Sequence, residues 1–429
     1  MSTRAPFLST HYGGYSHRQI PKEDEELTHV GPGTPGGEYL HRFWQPVIYS
    51  EELTDLPVPT RILGEDLVVF RDFSGQVGVL ELHCPHRGTS LEFRLVSERG
   101  IRCCYHGWLF DVDGAILETP GEPADSTLKD RLCHGAYPVE EHGGAVFVYM
   151  GPPEKRPPFP RFDSWDKPGF RLVAGPRYDY PCNWLQIAEN AMDPAHTAFL
   201  HTIVSGAQFT DAFGVLPKMD YIETPLGLAY IASRRVGDNI WVRMVETISP
   251  NVHQVSPVWE DGSKERPFSG PAITMWTVPR DDHNTMQVEF RHVSEAEGET
   301  PRWWADRVMI PGQMPDDVAW EQRQRQPGDF DAQVGQRSIA RHGLEHLATT
   351  DRGVTMFRQD IRRGIQAVRE GREPDGLLIQ EGDVIPTYAN DTVVRVPPAP
   401  TQDEDDKLLR ETGRKLAEEF VNCPPLSAS

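Results

Sequence analysis

Two short clusters constrain this chain more than anything else in it. Cys84-Pro-His86 is followed after sixteen residues by Cys103-Cys104-Tyr105-His106. Each cluster is wrapped in turn-forming residues and offers a thiol and an imidazole. A [2Fe–2S] centre of mixed ligation needs this inventory, two thiolates on one iron and two imidazoles on the other. Cys84 and His86 come from the first loop; His106 and one of the adjacent thiols, Cys103 or Cys104, come from the second. Imidazole ligation raises the potential above that of an all-thiolate cluster, which suits electron delivery to an oxidising partner. A structural zinc takes the same donors, although Cys-x-His is tighter than the usual zinc spacing.

The pattern Cys-x-His, a gap of this length, and Cys-x-x-His-Gly-Trp resembles the cluster loops of the Rieske non-haem iron oxygenases. That resemblance places the second thiol three residues before the histidine, which selects Cys103. It leaves Cys104 as a buried bystander and His83 as a surface or supporting group. Gly107 permits close backbone approach to the cluster, and Trp108 and Phe110 are expected to pack beside it and limit water access.

At 429 residues the chain is long enough for two or three domains with ample core. A net charge of -21 disfavours nucleic acid and anionic membranes as partners. It would suit docking to a basic patch on a redox protein. Six cysteines in no disulfide-framework pattern suggest a reducing compartment. No basic-then-apolar leader occupies Met1 to Tyr15, and no apolar run reaches membrane-spanning length. These features point to a soluble, cytoplasmic protein.

In chain order, 1–21 reads as polar and irregular. Lys22 to Leu27 opens a short acidic helix that Gly31-Pro32-Gly33-Thr34-Pro35-Gly36-Gly37 breaks. Short strands follow, among them Asp66–Phe70, Val77–Leu80 and Gly144–Tyr149. Gly151 to Pro160, with five prolines and a basic pair, reads as a link to a second domain. Beyond it, Gly227–Ile231 and Ala272–Val278 suggest a sheet, interrupted by helical patterns at 184–202 and after Ser338. An acidic tail from Pro397 ends in a stripe of Leu409, Leu416 and Phe420, expected to dock as a helix. The expected division is a segment over 1–43 packing on the catalytic domain, a cluster domain over 44–152, a catalytic domain over 153–396 and a tail over 397–429.

The other informative stretch runs from Asn183 to His201. Oxygen-activating Fe(II) is commonly held by two histidines and a carboxylate on one face, with positions left open. His196 and His201 are candidates, five apart. Five residues turn about 500° on an ideal helix, so the helix must distort or end between them for both to share a metal. Asp193 before Pro194 is a natural helix N-cap. Taken alone, a His-x4-His pair is a weak signal and an Asp-Pro helix start is usually only a cap, so structural roles are the commoner reading of both.

Asn-Trp-x4-Glu-Asn-x2-Asp-Pro-x-His-x4-His resembles the oxygenase iron motif. The resemblance implies that His196 and His201 bind iron and that Asn190 lines the pocket. It also implies that Asp193 bridges His196 to a cluster histidine, His106, of a neighbouring subunit. Glu345-His346-Leu347-Ala348-Thr349-Thr350-Asp351-Arg352 resembles a block of the phthalate-dioxygenase-like branch, whose register puts the carboxylate ligand at Asp329, with Asp331 as the alternative. Gly328 and Val334 depart from that branch's pattern. His342 and His346 read as structural.

The resemblance spans roughly residues 27–370. It implies an α+β chain with an N-terminal all-β [2Fe–2S] domain and a C-terminal catalytic domain of antiparallel sheet and helices, helix-grip-like. It also implies reductive O₂ activation at a mononuclear Fe(II), fed by the cluster. Electrons would come from a separate NAD(P)H-dependent reductase, with or without a ferredoxin, since no nucleotide-binding glycine motif is present. A homotrimer is implied because the Asp193 bridge works between subunits. The branch suggests an aromatic carboxylate or aryl ether as substrate, hydroxylated or O-demethylated, with ring cis-dihydroxylation second. An electron-transfer protein without oxygenase activity, and a zinc-stabilised binding module, are readings from other classes. Arg234, Arg235, Arg243 and Arg291 fall in expected strands and read as surface residues.

Overall fold

The computed structural model describes residues 11–12, 22–257, 260–296, 302–314, 318–377 and 380–422. The expectation for 1–21 therefore falls almost wholly outside the described residues.

Residues 45–148 build three small antiparallel sheets. One pairs Gln45–Tyr49 with Ala145–Val148 and Val139–His142; a second runs Val58–Ile62, Glu65–Arg71, Val77–Glu81 and Ala136–Tyr137. The third orders Arg94–Val96, Ile101–Cys103, Leu109–Phe110 and Ile116–Glu118. The run Leu67-Val68-Val69-Phe70 is apolar throughout because its strand is buried on both faces. Leu67 and Val69 join the main core, whereas Val68 and Phe70 join a smaller core that also contains Cys84, Cys103 and Trp108. Alternation along one strand thus ties the cysteine loops to the rest of the molecule.

From residue 170 a single large antiparallel sheet takes over. Its order is Phe170–Tyr180, Asn284–Ser294, Ile273–Asp281, Val252–Val255, Asn239–Ile248, Gly227–Val236, Lys218–Thr224, with Asn390–Arg395 also pairing Asn239–Ile248. Its two faces have different tasks. On one, Trp276, Val288 and Phe290 meet Phe147 of the first small sheet; the Phe147 ring lies 5.3 Å from Trp276 and 5.8 Å from Phe290. Farther along, Ala229, Ile231, Ile240 and Val242 are covered by the terminal helix Gln402–Asn422 through Leu409 and Ala417. The opposite face, carrying Tyr230, Arg243, Val245, His253, Met275, Gln287 and Glu289, lines a cavity.

Helix Arg352–Arg369 buries Val354, Phe357, Ile361 and Ile365, a stripe of three- and four-residue spacing. Each such side chain taken out of water is worth about 1.5–3 kcal/mol. The first two helices, Glu25–Thr28 and Pro35–Leu40, pack against it. Here the glycine-rich run departs from expectation, since it breaks the first helix but also starts the second. Thr34 caps that helix by accepting from Gly37 N–H, and Pro35 takes the first position. A Cβ on Gly37 would sit 2.1 Å from Gly31 O, so the chain can turn this tightly only with glycine there. Among the described residues no helix is long and apolar enough to cross a membrane.

Candidate active site

The two cysteine loops adopt the same turn. Gly88 N–H donates to Cys84 O at 2.8 Å and Gly107 N–H to Cys103 O at 3.1 Å. Each closing glycine has a positive φ, +74° and +76°, the left-handed region in which a side chain is strained. Cys84 N–H to Thr89 O and Cys103 N–H to Trp108 O, at 2.9 and 2.8 Å, pin the loop bases. The structure brings all four expected residues together: Cys84 and Cys103 are buried, and the His86 and His106 rings lie 4.4 Å apart. His86 stacks on Trp108 at 4.7 Å and 4°, as the expected packing of that indole requires. Burial, together with the opposing Cys103 thiol, pushes the Cys84 thiol up to about 11. His86 Nδ1 is buried with no hydrogen-bond partner in the structure. Two facing thiols and an orphaned imidazole nitrogen are the donors a mixed-ligand [2Fe–2S] cluster takes, so the residues fit the group. Cys104 is not the buried bystander expected: it is exposed, because in this turn its side chain points away from Cys103's pocket. His83 is exposed, with Nδ1 3.2 Å from Gly88 O.

The second constellation lies on the segment after Trp184–Ala188. His196–Ala198 forms a helical turn that widens into a π-helix over Phe199–Val204. A π turn takes more residues per revolution, so positions five apart come onto one face. His196 and His201 rings sit 5.1 Å apart. Asp329, on helix Asp329–Val334, completes the group: one donor atom from each residue lies within 4.8 Å of the others. Asp329 carboxylate oxygens are 3.7 Å from His196 Nε2 and 3.4 Å from His201 Nε2. Asp331, the alternative, turns away; it accepts from Arg323 and caps Gly328 N–H at 3.1 Å.

The surroundings set protonation. Burial opposes ionisation of Asp329, but His201 and His196, with hydrogen bonds from Gln313 and Asn190, hold its carboxyl below the usual range. Asn190 Nδ2 donates to Asp329 at 3.2 Å. Burial keeps His201 neutral. The set matches the two-histidine, one-carboxylate pattern of non-haem iron, and a bound metal would displace the proton that, against burial, Asp193 and Asp329 favour on His196. Asp193 accepts from Ala195 N–H at 2.9 Å in a local turn, but the N-cap of His196–Ala198 is Ala195, so Asp193 ends the preceding turn rather than capping this helix as expected. Its backbone carbonyl accepts from His196 Nδ1, and its carboxylate lies 3.7 Å from the same nitrogen. His342 accepts from Asp24 N–H at 3.2 Å, a structural contact.

The trio opens on a cavity of about 140 Å³. Ile187, Phe209, Phe213, Val255, Ile273 and Ile310 make most of its wall apolar. Several groups here escaped sequence reasoning. Gln208 and Gln313 support the trio. Arg243 lines the cavity, donating to Tyr230 OH at 2.6 Å and Ser256 O at 3.1 Å. Arg234, Arg243 and Arg291 are 1%, 4% and 0% exposed, which corrects their reading as surface residues. Their strands are covered on both faces, and each guanidinium meets aromatic rings, carbonyls or an acid, with Arg243 Nε alone among the three left without a hydrogen-bond partner. Arg235 alone is partly exposed, paired with Asp405.

Residues 43–136 match the family model of the Rieske [2Fe-2S] domain. The chain is 40% identical to the tert-butanol monooxygenase / tert-amyl alcohol desaturase oxygenase subunit of Aquincola tertiaricarbonis, over 99% of this chain and 96% of that one. It is 39% identical to the phenoxybenzoate dioxygenase subunit alpha of Ectopseudomonas oleovorans, over 90% and 95% respectively. Among solved structures it resembles NdmA of Pseudomonas putida CBB5 (QL mutant with theobromine), with a TM-score of 0.59 and 20% identity over 81% of this chain and 98% of that one, a likeness of fold. The [2Fe–2S] cluster and mononuclear iron are thus this chain's cofactors, its enzyme class is oxidoreductase, and the chain belongs to the Rieske non-haem iron oxygenases.

Proposed function

We propose that this chain is the oxygenase component of a multicomponent system that uses O₂ and electrons from a separate NAD(P)H-dependent reductase, with or without a ferredoxin, to hydroxylate or O-demethylate a small apolar-bodied substrate. The observation that carries this is the His196, His201 and Asp329 trio at the end of an apolar cavity, in a chain that also carries a Rieske domain. In this reading Cys84, His86, Cys103 and His106 hold the cluster, and the trio holds the iron. When bound, the two groups supply single electrons and O₂ activation, respectively.

The chain's own residues do the rest. Asn190 and Gln313 hold the Asp329 carboxylate in place by donating to both its oxygens. Asp193 fixes the His196 ring, since Nδ1–H donates to its carbonyl and leaves the Nε2 lone pair free for a metal. The apolar wall keeps bulk water from the reacting centre and gives an aromatic ring or branched alkyl body its contact surface. Phenoxybenzoate, in one relative's name, joins ring, ether and carboxylate, which supports the aromatic carboxylate or aryl ether class. The tertiary alcohols of the other relative's name extend the proposal to compact branched alcohols.

His106 and Tyr105 are exposed, and Asp193 is part-exposed, with 29% of its side chain open. That supports a homotrimer in which the cluster edge of one subunit meets Asp193 of the next.

The test is EPR of anaerobically purified, dithionite-reduced protein together with iron and zinc counts. A low-average-g Rieske signal with about three irons per chain is expected. The same signal with two irons that iron add-back does not raise would leave an electron-transfer protein. Zinc with no signal would overturn the reading altogether. Changing His201→Ala should abolish turnover and leave the cluster spectrum intact.

A further inference from the structure

Glu289 is wholly buried, yet one of its carboxylate oxygens is unused. Oε1 accepts from Arg291 Nε, and Arg291 also donates through Nη1 to Trp304 O at 3.0 Å and through Nη2 to Val308 O at 2.7 Å. Oε2 has no hydrogen-bond partner of ordinary geometry, although the Tyr178 hydroxyl approaches the carboxyl, and Glu289 lines the same cavity as His196, His201 and Asp329. A carboxylate oxygen left without a donor in a buried site is costly, so its persistence calls for a group that fills it.

The backbone is built to hold Glu289 there. Opposite it, the strand Phe170–Tyr180 bulges between Ala174 and Arg177. The Tyr49 hydroxyl, from the first small sheet, fills the gap: it accepts from Glu289 N–H and lies 3.2 Å from the carbonyl oxygens of Pro176 and Glu289, where its proton goes. Gly175 in the bulge leaves the space that Glu289 Cβ and Cγ occupy; a Cβ there would come to 3.0 Å from both. Bulges of this kind re-aim a side chain next to a site. Arg291, two residues on and on the same face, then fixes the carboxylate from behind.

We infer that Glu289 is a specificity-determining residue whose free oxygen accepts a hydrogen bond from an O–H or N–H group of the substrate. Within the substrate classes proposed above, the enzyme then favours molecules that carry such a free donor on the apolar body, apart from the group that reacts, over counterparts capped at that donor. This rests on the oxygenase reading of the same cavity.

The test compares binding of benzyl alcohol and benzyl methyl ether to the holoenzyme by ligand-observed NMR. The wild type should bind the alcohol about tenfold more tightly, the value of one hydrogen bond to a charged acceptor. Glu289→Gln keeps an acceptor for Arg291 and turns the free oxygen into a donor, so the preference should vanish or invert. Glu289→Asp keeps the charge but withdraws the oxygen, and should weaken the preference if the Gln variant does not fold. Equal binding of both probes by the wild type, or a preference that survives in a folded variant, would overturn the inference. Cluster EPR and iron count are taken on the same samples. A three-iron protein indifferent to the hydroxyl sinks this inference alone, whereas a missing third iron sinks the oxygenase reading beneath it.

Discussion

Gln208 Oε1 lies 2.6 Å from Nδ1 of His201, and the same amide donates through Nε2 to Pro311 O. An amide oxygen only accepts, so His201 must carry its proton on Nδ1 and turn the lone pair of Nε2 toward Asp329. The Pro311 bond fixes which way the amide faces. Gln208 therefore holds both the tautomer and the orientation of the His201 imidazole.

Changing Gln208→Leu should lower iron affinity by about 10–100-fold, the usual effect of losing a partner that orients a ligand. The experiment is titration of iron-stripped protein with Fe(II), read against the cluster's unchanged EPR signal. Wild-type affinity in the variant would mean that packing alone orients the ring.

The two aspartates of helix Asp329–Val334 should separate cleanly. Asp329→Ala removes the carboxylate nearest both histidines and should leave two irons per chain. Asp331→Ala removes a helix cap and its pairing with Arg323, costing about 1 kcal/mol of stability while three irons remain. Metal counts on the two purified variants decide the matter; iron loss in the Asp331 variant instead would reverse the assignment.

Arg358 clamps two acids from opposite directions. It donates through Nε and Nη2 to Glu189, and through Nη1 and Nη2 to Glu345 at 2.6 and 3.1 Å. Glu189 is the buried acid of the Glu-Asn-x2-Asp-Pro segment, so this pair ties the segment that leads to His196 and His201 to helix Arg352–Arg369. Truncating Arg358→Ala strands Glu189 in the interior and should cost about 3–5 kcal/mol. Chemical denaturation would show it, and Arg358→Ala with Glu189→Leu should recover part of the loss.

What could be read from the sequence follows the distance over which each feature is encoded. The cluster residues lie in two loops whose internal spacing is itself the signal. The His196 and His201 pair was legible as a distorted helix because 3.6-residue periodicity forbids a shared face, and the π turn is how the chain resolves it. Asp329 needed a register counted from Glu345, and the structure gives that block a physical reason, since Glu345 holds Arg358. Gln208, Gln313, Arg243 and Glu289 carry no local signal. A polar residue in a strand reads as solvent-facing unless both sheet faces are known to be covered. Here one face is covered by the small sheet and the terminal helix, and the other closes on a cavity. Cys104 failed for the converse reason: cysteines are usually buried, and only the turn geometry shows it outside.

Glu246 offers a prediction in pH. It is fully buried in the strand Asn239–Ile248 and accepts from Tyr388 N–H at 2.7 Å. Burial pushes its carboxyl up to about 8, against which the Tyr388 bond is the weaker influence. The folded state therefore holds a proton that the unfolded chain releases near its ordinary value of 4.5. Between those values the native state binds more protons, so this group's contribution to stability falls as pH rises from about 4.5 to 8. Glu246→Gln keeps the oxygen that Tyr388 uses and has nothing to ionise. Thermal unfolding of both proteins at pH 5, 6.5 and 8 should show the variant gaining on the wild type at each step, by a few kcal/mol in all. A difference that stays flat across the series would mean that the carboxyl is already ionised inside the fold.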